Sequence, residues 1–340
     1  MQNNNTSSRI GTVTSGCVKA TLAAALSAAL FSGSVAADNL RLAGNFATTH
    51  SSSVAMERFK ERLPEVSGGE LTVDVFPAMQ LGGAKENIDQ VRSGVLEMTW
   101  VGTSYLSRIV PELEALSLPF AYSSREEAFK VVDGPVGEMI SEKLAEKGFV
   151  ALGYMELGSR QVTNSQHPIK TIADFDGLKI RLQPNETHLA TFRALGASPV
   201  SMGINEVYSA LQQGVIDGQE NPYSVIETQK FNEVQTYLSD TSHFFDFIAV
   251  VANKRKFEKL EPAEQQAVRD AMAEAVAWQR AKAAEEDTAA REKLVEANME
   301  LVEVTPELRQ QMRERTAPVV AELKERLGAD LIDAVLAEVQ

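Results

Sequence analysis

The feature that most constrains the fold is a stretch in the C-terminal third that contains neither proline nor glycine. It runs over 263–298, directly after Pro262, and is rich in Ala, Glu, Gln and Arg. Proline suits the first position of a helix, and at 1.5 Å per residue an unbroken helix of this length reaches ~50 Å. The pattern therefore predicts a long, charged, exposed helix that lies across two structural units rather than within one.

Short β-rich segments alternate with helical segments through the rest of the chain, which is the pattern of βαβ units. In the first unit we predict strands at 39–46, 70–76, 95–101 and 149–155, with helices at 54–63, 84–91 and between 124 and 147. In the second unit we predict strands at 161–164, 178–182, 199–202, 234–238 and 245–252, with helices at 186–195, 205–212 and 222–231. These predictions imply an α/β protein with a parallel first sheet and a mixed second sheet. The cleft between the sheets is the expected ligand site.

The N-terminal segment has the form of a secretory signal peptide. Arg9 and Lys19 precede an apolar run at 20–31, and small residues follow up to Ala37. The apolar run is too short to span a bilayer, and Cys17 lies before it, where a lipid-anchoring cysteine would follow it. We therefore expect cleavage after Ala37, and a periplasmic protein that is not embedded in the membrane.

Composition excludes several classes of function. The chain has 33 Lys and Arg against 47 Asp and Glu, a net charge of -14, so nucleic acid is not an expected partner. One cysteine and four scattered histidines provide neither a disulfide framework nor a zinc site. The nucleophile-elbow, phosphate-loop and dinucleotide-binding motifs are absent from the sequence, and we expect no metal and no cofactor.

Two arginines stand at the edges of predicted strands. Arg160 precedes the strand at 161–164, and Arg181 lies near the end of the one at 178–182. Strand ends border the crevice of an open α/β sheet, where a guanidinium can bind a carboxylate through two charge-assisted hydrogen bonds. Ion pairing with the many acidic side chains is the alternative, and composition alone favours it.

The segment from 206 to 222 is rich in turn residues. We interpret Gly214 as a helix C-cap, 216–218 as a tight turn, and Asn221 as the N-cap of a helix that begins at Pro222. Turn chemistry explains the glycine and proline residues but not the three polar side chains at 219–221. These side chains stand at a helix N-terminus, a position that also favours an anionic ligand.

Several ordered motifs resemble one family, the periplasmic substrate-binding proteins of tripartite ATP-independent periplasmic (TRAP) transporters of the DctP type. The matching segments are Gln80-Leu81-Gly82-Gly83, Ser159-Arg160-Gln161, Asp176 to Arg181, Leu195 to Pro199, Glu206-Val207-Tyr208 leading into Gly214 to Asn221, and the long helix after Pro262. The resemblance implies a two-lobed clamshell with a long helix that spans both lobes. It also implies capture of a small organic acid and delivery to the small and large membrane permease subunits, without catalysis.

Under this resemblance the chain divides into a cleaved signal peptide at 1–37, a first lobe mainly at 38–158 and a second lobe mainly at 159–250. The remaining 251–340 then forms the inter-lobe helix and C-terminal helices, with segments that cross between lobes, and we expect a monomer.

The resemblance also assigns site residues. Arg181 matches the family's carboxylate-binding arginine, Arg160 a second basic contact and Asn221 an asparagine that faces the ligand. Other residues that fall on cleft-lining segments are Asn45, Trp100, Thr103, Ser104, Tyr105 and Gln183.

One anion anchor beside several hydrogen-bonding side chains favours a sugar acid, such as a uronate or aldonate, over a plain dicarboxylate. These side chains are Asn45, Thr103, Ser104, Gln183 and Asn221. Sialic-acid binders of the family carry a glutamate and an arginine where this chain has Gly102 and Tyr105, and an asparagine where it has Pro184. C4-dicarboxylates and 2-oxo acids stay open, with Arg160 as the second cation.

Two other classes of function remain at this point. A secreted hydrolase or lyase would use paired carboxylates such as Asp217 and Glu220. A periplasmic sensory adaptor would share the fold and the ligand contacts and differ only in its partner.

Overall fold

The computed structural model describes residues 38–339, which form two β-sheets surrounded by helices. The predicted signal peptide lies outside these residues. The strands are β1 (Asp38–Gly44), β2 (Leu71–Phe76), β3 (Met98–Gly102), β4 (Phe149–Ser159), β5 (Gln161–Asn164), β6 (Lys179–Leu182), β7 (Ser198–Ser201), β8 (Gly218–Asn221), β9 (Tyr237–Ser239), β10 (Phe245–Asn253) and β11 (Glu300–Val302). The helices are α1 (Ser51–Val66), α2 (Ala84–Ser93), α3 (Thr103–Leu106), α4 (Arg125–Asp133), α5 (Pro135–Glu146), α6 (Glu186–Leu195), α7 (Ile204–Gln212), α8 (Tyr223–Thr228), α9 (Lys254–Phe257), α10 (Pro262–Glu296), α11 (Pro306–Leu327) and α12 (Ala329–Glu338).

The first sheet has the order β2-β1-β3-β10-β4 and defines lobe I with its helices. Strands β1, β2 and β3 are parallel, but β10 runs antiparallel to both β3 and β4. The expectation of a parallel first sheet was therefore wrong. The antiparallel strand comes from late in the chain, and all nine of its residues are buried, as a central strand requires.

The second sheet has the order β11-β9-β5-β8-β6-β7 and defines lobe II. It is mixed as predicted, because β6 runs parallel to β7 and β8 whereas β5 runs antiparallel to β8 and β9. Strand β8 itself was not predicted. Its residues, interpreted as a turn and a helix cap, pair with both β5 and β6, and the N-cap of α8 is Pro222 instead of Asn221.

Two of the three crossings of the chain between the sheets connect strand directly to strand and lie side by side. A single residue, Arg160, separates β4 in lobe I from β5 in lobe II, and the segment 240–244 joins β9 to β10. Strand pairs that continue from one sheet into another through so few residues form a hinge. The Arg160 side chain therefore sits where the lobes meet.

Helix α10 spans both lobes, as the run without proline or glycine predicts. It contains 35 residues, begins at Pro262 and ends at Glu296. In lobe I it packs against α1, where Arg62 Nε donates to Glu274 Oε2 at 2.9 Å. In lobe II it packs against α8, where the Ser224 amide donates to Asp287 Oδ1 at 3.3 Å.

The C-terminal helices also connect the lobes. Helix α11 packs on α6 in lobe II, and α12 packs on α4 and α5 in lobe I. Near the end of α11, Arg326 Nη1 donates to Glu114 Oε1 at 3.0 Å. None of the helices within residues 38–339 combines the length and apolar character needed to cross a bilayer.

Candidate ligand-binding site

Arg181 lies on β6 and is completely buried. Its Nε and Nη2 atoms donate to the Met202 carbonyl at 3.0 and 2.8 Å, and Nη2 also donates across the cleft to the Tyr105 hydroxyl at 2.9 Å. Its Nη1 atom is buried without a hydrogen-bond partner, and no carboxylate of residues 38–339 lies within 4.0 Å of the guanidinium. A buried cation without a counter-charge is strongly unfavourable, so this position favours an anion.

A cavity between the lobes surrounds Arg181. Its lining residues are Asn45, Phe46, Tyr105, Leu157, Arg181, Gln183, Ile204, Asn221, Val225 and Gln229. The cavity volume is about 20 Å³, enough for a water molecule but not for a six-carbon acid. The cleft is therefore closed around its polar centre, and a ligand of that size does not fit into it in this state.

Five of the residues predicted from the sequence line this cavity: Asn45, Tyr105, Arg181, Gln183 and Asn221. Three of them carry side-chain amides. Asn45 Oδ1 is buried without a partner, and Asn221 Nδ2 donates to Gln219 Oε1 at 2.5 Å. The cavity thus combines one uncompensated cation with a set of neutral hydrogen-bonding groups.

Arg160 is also completely buried, but its charge is balanced within the protein. Its Nε and Nη2 atoms donate to the Glu220 carboxylate at 2.5 and 2.8 Å, and Nη1 donates to Asp246 Oδ2 at 3.3 Å. Nη2 also donates to Asn221 Oδ1 at 3.0 Å. Arg160 is not among the cavity-lining residues. In this structure it holds Asn221 in place instead of facing the cavity itself.

Glu220 forms an ion pair with Arg160 and also contacts His243, whose Nε2 lies 3.1 Å from Glu220 Oε2. Burial by itself raises the pKa of Glu220, but Arg160 and His243 outweigh it and hold the pKa well below its usual range. Burial lowers the pKa of His243, and Glu220 opposes this only in part. The group is thus a carboxylate paired with a guanidinium, beside a neutral imidazole.

Asp246 explains why two predicted residues do not reach the cavity. Its carboxylate accepts hydrogen bonds from Thr103 Oγ1 at 2.9 Å, Ser104 Oγ at 3.4 Å and Gln183 Nε2 at 2.9 Å. Thr103 and Ser104 therefore lie behind the cavity wall and are absent from its lining. Gly102 lets the Gln183 amide lie close to β3, because a Cβ there would lie 3.1 Å from Gln183 Oε1 and the amide would have to shift slightly.

Trp100 does not line the cavity either. It lies in β3, is fully buried, and its indole packs against Gly44, where a Cβ would come within 2.3 Å of the ring. The tryptophan therefore packs in the lobe I core.

Sequence reasoning missed several residues of the site. Phe46, Leu157, Ile204, Val225 and Gln229 line the cavity, and Asp246 organises its wall. Four of these five lining residues are apolar, and in the sequence they cannot be distinguished from ordinary core residues. Asp246 gave a usable signal, because it is the only charged residue in the mainly apolar strand β10.

The paired carboxylates of the hydrolase alternative have other partners. Asp217 accepts the Lys179 amide at 2.8 Å and Gln166 Nε2 at 3.1 Å, and Glu220 is paired with Arg160. Both fix the structure of lobe II, and neither lines the cavity.

Two α/β lobes with a shared hinge, a long helix across both and a closed cleft around an uncompensated arginine define an extracytoplasmic solute-binding protein of the clamshell class. The family model DctP, described as bacterial extracellular solute-binding protein, family 7, matches residues 42–326. The chain belongs to this family, the substrate-binding subunits of TRAP transporters, and the resemblance drawn from the sequence is confirmed.

Similar proteins support the same assignment. The chain is 38% identical over 275 residues to the 2,3-diketo-L-gulonate-binding periplasmic protein YiaO of Escherichia coli, covering 81% of this chain and 84% of the relative. It is 34% identical over 282 residues to the C4-dicarboxylate-binding periplasmic protein DctP of Rhodobacter capsulatus, covering 82% and 84%. The sugar acid binding protein DctPAm of Advenella mimigardefordensis, solved with galactonate, superposes with a TM-score of 0.87 at 33% identity, covering 90% of this chain and 98% of that protein. These are solute-binding proteins of transporters rather than enzymes.

Proposed function

We propose that the chain captures a sugar acid, an aldonate or uronate, in the periplasm, and that Arg181 binds the ligand carboxylate. The observation that carries the proposal is the buried Nη1 atom of Arg181, which has no partner in a cavity between the lobes. A carboxylate would supply both the missing hydrogen-bond acceptor and the missing counter-charge.

The rest of the cavity favours hydroxyl groups over a second carboxylate. Asn45, Gln183, Asn221 and Gln229 line it with neutral side chains, and Asn45 Oδ1, which is buried without a partner, can accept a hydrogen bond from a ligand hydroxyl. Arg160, the candidate second cation, is balanced by Glu220 and Asp246. The galactonate and diketogulonate binders among the similar proteins support this choice.

A C4-dicarboxylate is the second candidate, because DctP of Rhodobacter capsulatus carries that specificity in its name. A ligand panel separates the two. Thermal unfolding of the protein with galactonate, gluconate, glucuronate, galacturonate, succinate, malate, pyruvate and sialic acid should show stabilisation by one sugar-acid group. A ligand at 100 times its Kd stabilises by ~2.7 kcal/mol. A response to succinate and malate alone would contradict the sugar-acid proposal.

Arg181 variants test the anchor directly. Arg181→Ala leaves a buried ligand carboxylate unpaired, so its Kd should rise by roughly two to three and a half decades. Arg181→Lys should also bind weakly because it loses the bidentate geometry. Titration calorimetry measures both. Arg193→Ala, which removes an exposed arginine paired with Glu186, is the control and should bind normally. Normal binding by both Arg181 variants would remove the anchor from the proposal.

We also propose that residues 1–37 are a signal peptide removed on export. The mass of the protein recovered from a periplasmic extract should correspond to a chain that begins at Asp38. A mass that retains the N-terminal segment would contradict this.

A further inference from the structure

A second, larger compartment lies at the mouth of the cleft. Its volume is about 400 Å³, and it shares Tyr105 and Ile204 with the inner cavity. Met202, whose carbonyl accepts two hydrogen bonds from Arg181, also lines it. The Tyr105 side chain and the Met202 carbonyl, which both accept hydrogen bonds from Arg181, therefore belong to residues that line this outer compartment.

Both lobes contribute to the outer compartment. Lobe I supplies the beginning of α2 and Arg108, which follows α3, and lobe II supplies the segment 201–206 at the beginning of α7. The lobes approach closely here, because a Cβ on Gly83 would lie 3.9 Å from Asn205 Oδ1. The compartment is consequently the part of the cleft that widens when the lobes separate.

Two exposed cations, neither of them in a salt bridge within the described part of the chain, line the outer compartment. Lys85 and Arg108 have no carboxylate within 4.0 Å among residues 38–339. The two acids of the compartment, Glu86 and Glu206, lie in the first turns of α2 and α7, where the helix dipole favours negative charge. Glu206 Oε2 also accepts the Gly203 amide at 3.2 Å. Two cations thus face two carboxylates, and the partial positive charges at the two helix N-termini leave the compartment with a small positive excess.

We propose that the outer compartment is an anion-capture site in which Lys85 and Arg108 hold the ligand carboxylate before it reaches Arg181. The inference rests on the proposed function, since it requires an acidic ligand. A chain with a net charge of -14 repels an anion as a whole, so a local positive patch at the mouth raises the rate of productive encounter. Charges at the rim of a binding site act mainly on the association rate and its salt dependence.

Stopped-flow association kinetics test the capture site, with galactonate as the first probe and each other acid of the panel that binds the wild type. The double variant Lys85→Gln with Arg108→Gln should associate about fivefold to tenfold more slowly at low salt. The dependence of its association rate on ionic strength should be flatter than in the wild type. Its dissociation rate should stay within about twofold, because neither cation contacts the ligand after it has moved to Arg181.

Arg92→Gln is the matched control. Arg92 is exposed and lies in the last turn of the same helix, α2, about 10 Å along the axis from Lys85. The Arg92→Gln substitution removes one positive charge, as each substitution of the double variant does, but at a position away from the mouth of the cleft. If Arg92→Gln slows association as much per charge as the double variant does, net charge explains the effect and the capture site is overturned.

The remaining outcomes separate the two proposals. If the wild type binds an acid of the panel and the double variant associates with it at the same rate, the capture site is overturned and the proposed function stands. A dissociation rate that rises tenfold at an unchanged association rate places the cations in the bound complex and also overturns it. Failure of the wild type to bind any acid of the panel overturns the proposed function, and the capture site with it.

Discussion

At the scale of single residues, the site is defined by the contrast between two buried arginines. Both are completely inaccessible to solvent, yet Arg160 pairs with Glu220 and Asp246, whereas Arg181 has only neutral acceptors. The sequence placed both at strand edges and assigned both to the ligand. It could not reveal the balance of charge at Arg160, because Glu220 reaches it only through the long-range pairing of β5 with β8.

The Arg160–Glu220 pair should be important for stability. Glu220→Gln leaves a buried guanidinium without its closest counter-charge, so the free energy of unfolding should fall by about 3 kcal/mol or more. Urea unfolding measures the change. Glu186→Gln breaks an ion pair in which both side chains are 53% exposed, and it should cost less than about 1 kcal/mol. Equal changes in the free energy of unfolding for the two substitutions would show that the buried pair contributes no more to stability than an exposed pair.

Arg181 should show the opposite balance between stability and binding. Arg181→Met removes a buried, uncompensated charge while keeping a long side chain, so the free energy of unfolding without ligand should not fall by more than about 1 kcal/mol. The same variant should lose ligand affinity. Urea unfolding and calorimetry on one preparation test both expectations. A large loss of stability would mean that Arg181 has a structural role like that of Arg160.

At the scale of secondary-structure elements, local sequence patterns predicted helices better than strands. The long helix α10 begins at Pro262 as expected, and it continues to Glu296 because no proline or glycine interrupts it. Strand β8, with the sequence Gly-Gln-Glu-Asn, has low intrinsic strand propensity and forms because both neighbouring strands pair with it. Similarly, the position of β10 between β3 and β4 depends on the return of the chain from lobe II. Local patterns carry no information about such pairings.

Helix α10 contains a carboxyl group that should make stability depend on pH. Burial raises the pKa of Asp287 to about 7, with further contributions from Glu156, Glu286 and Asp240, and the Ser224 amide opposes this only in part. The folded protein therefore keeps a proton that the unfolded chain releases near pH 4. Stability from this group is present below the unfolded pKa and is lost as the pH rises to about 7.

Asp287→Asn tests this expectation, since the amide keeps an acceptor for Ser224 and cannot ionise. The free energy of unfolding of the variant should exceed that of the wild type by a margin that grows from pH 4 to 7, up to about 4 kcal/mol. Asp270→Asn, an exposed change on the same helix, should show no such trend. Parallel pH profiles for wild type and Asp287→Asn would rule out this role for Asp287.

At the scale of the whole molecule, the two lobes that the hinge joins also contact each other at the binding site. The hydrogen bonds Arg181–Tyr105 and Gln183–Asp246 join lobe II to lobe I at the cavity, and the ion pair of Arg326 with Glu114 joins the C-terminal helices to lobe I. One apolar cluster also contains buried residues of both lobes, such as Phe46 and Ile204, so apolar packing supports the closed cleft together with the polar contacts. The sequence predicted two lobes and a hinge, but the degree of closure is a property of contacts between distant segments.

Cross-linking the lobes tests whether binding requires them to separate. The substitutions Gly83→Cys and Asn205→Cys place thiols on opposite sides of the mouth, and the only native cysteine, Cys17, lies in the segment we propose to be removed. A short thiol-reactive cross-linker should then lower the ligand association rate about 100-fold or more, because the cavity of about 20 Å³ admits no sugar acid while closed. Protein cross-linked after ligand binding should release the ligand equally slowly, and each single-cysteine variant treated with the same reagent should bind at the normal rate. Rapid binding by the cross-linked protein would mean that the ligand reaches Arg181 by side-chain movement alone, with the lobes fixed.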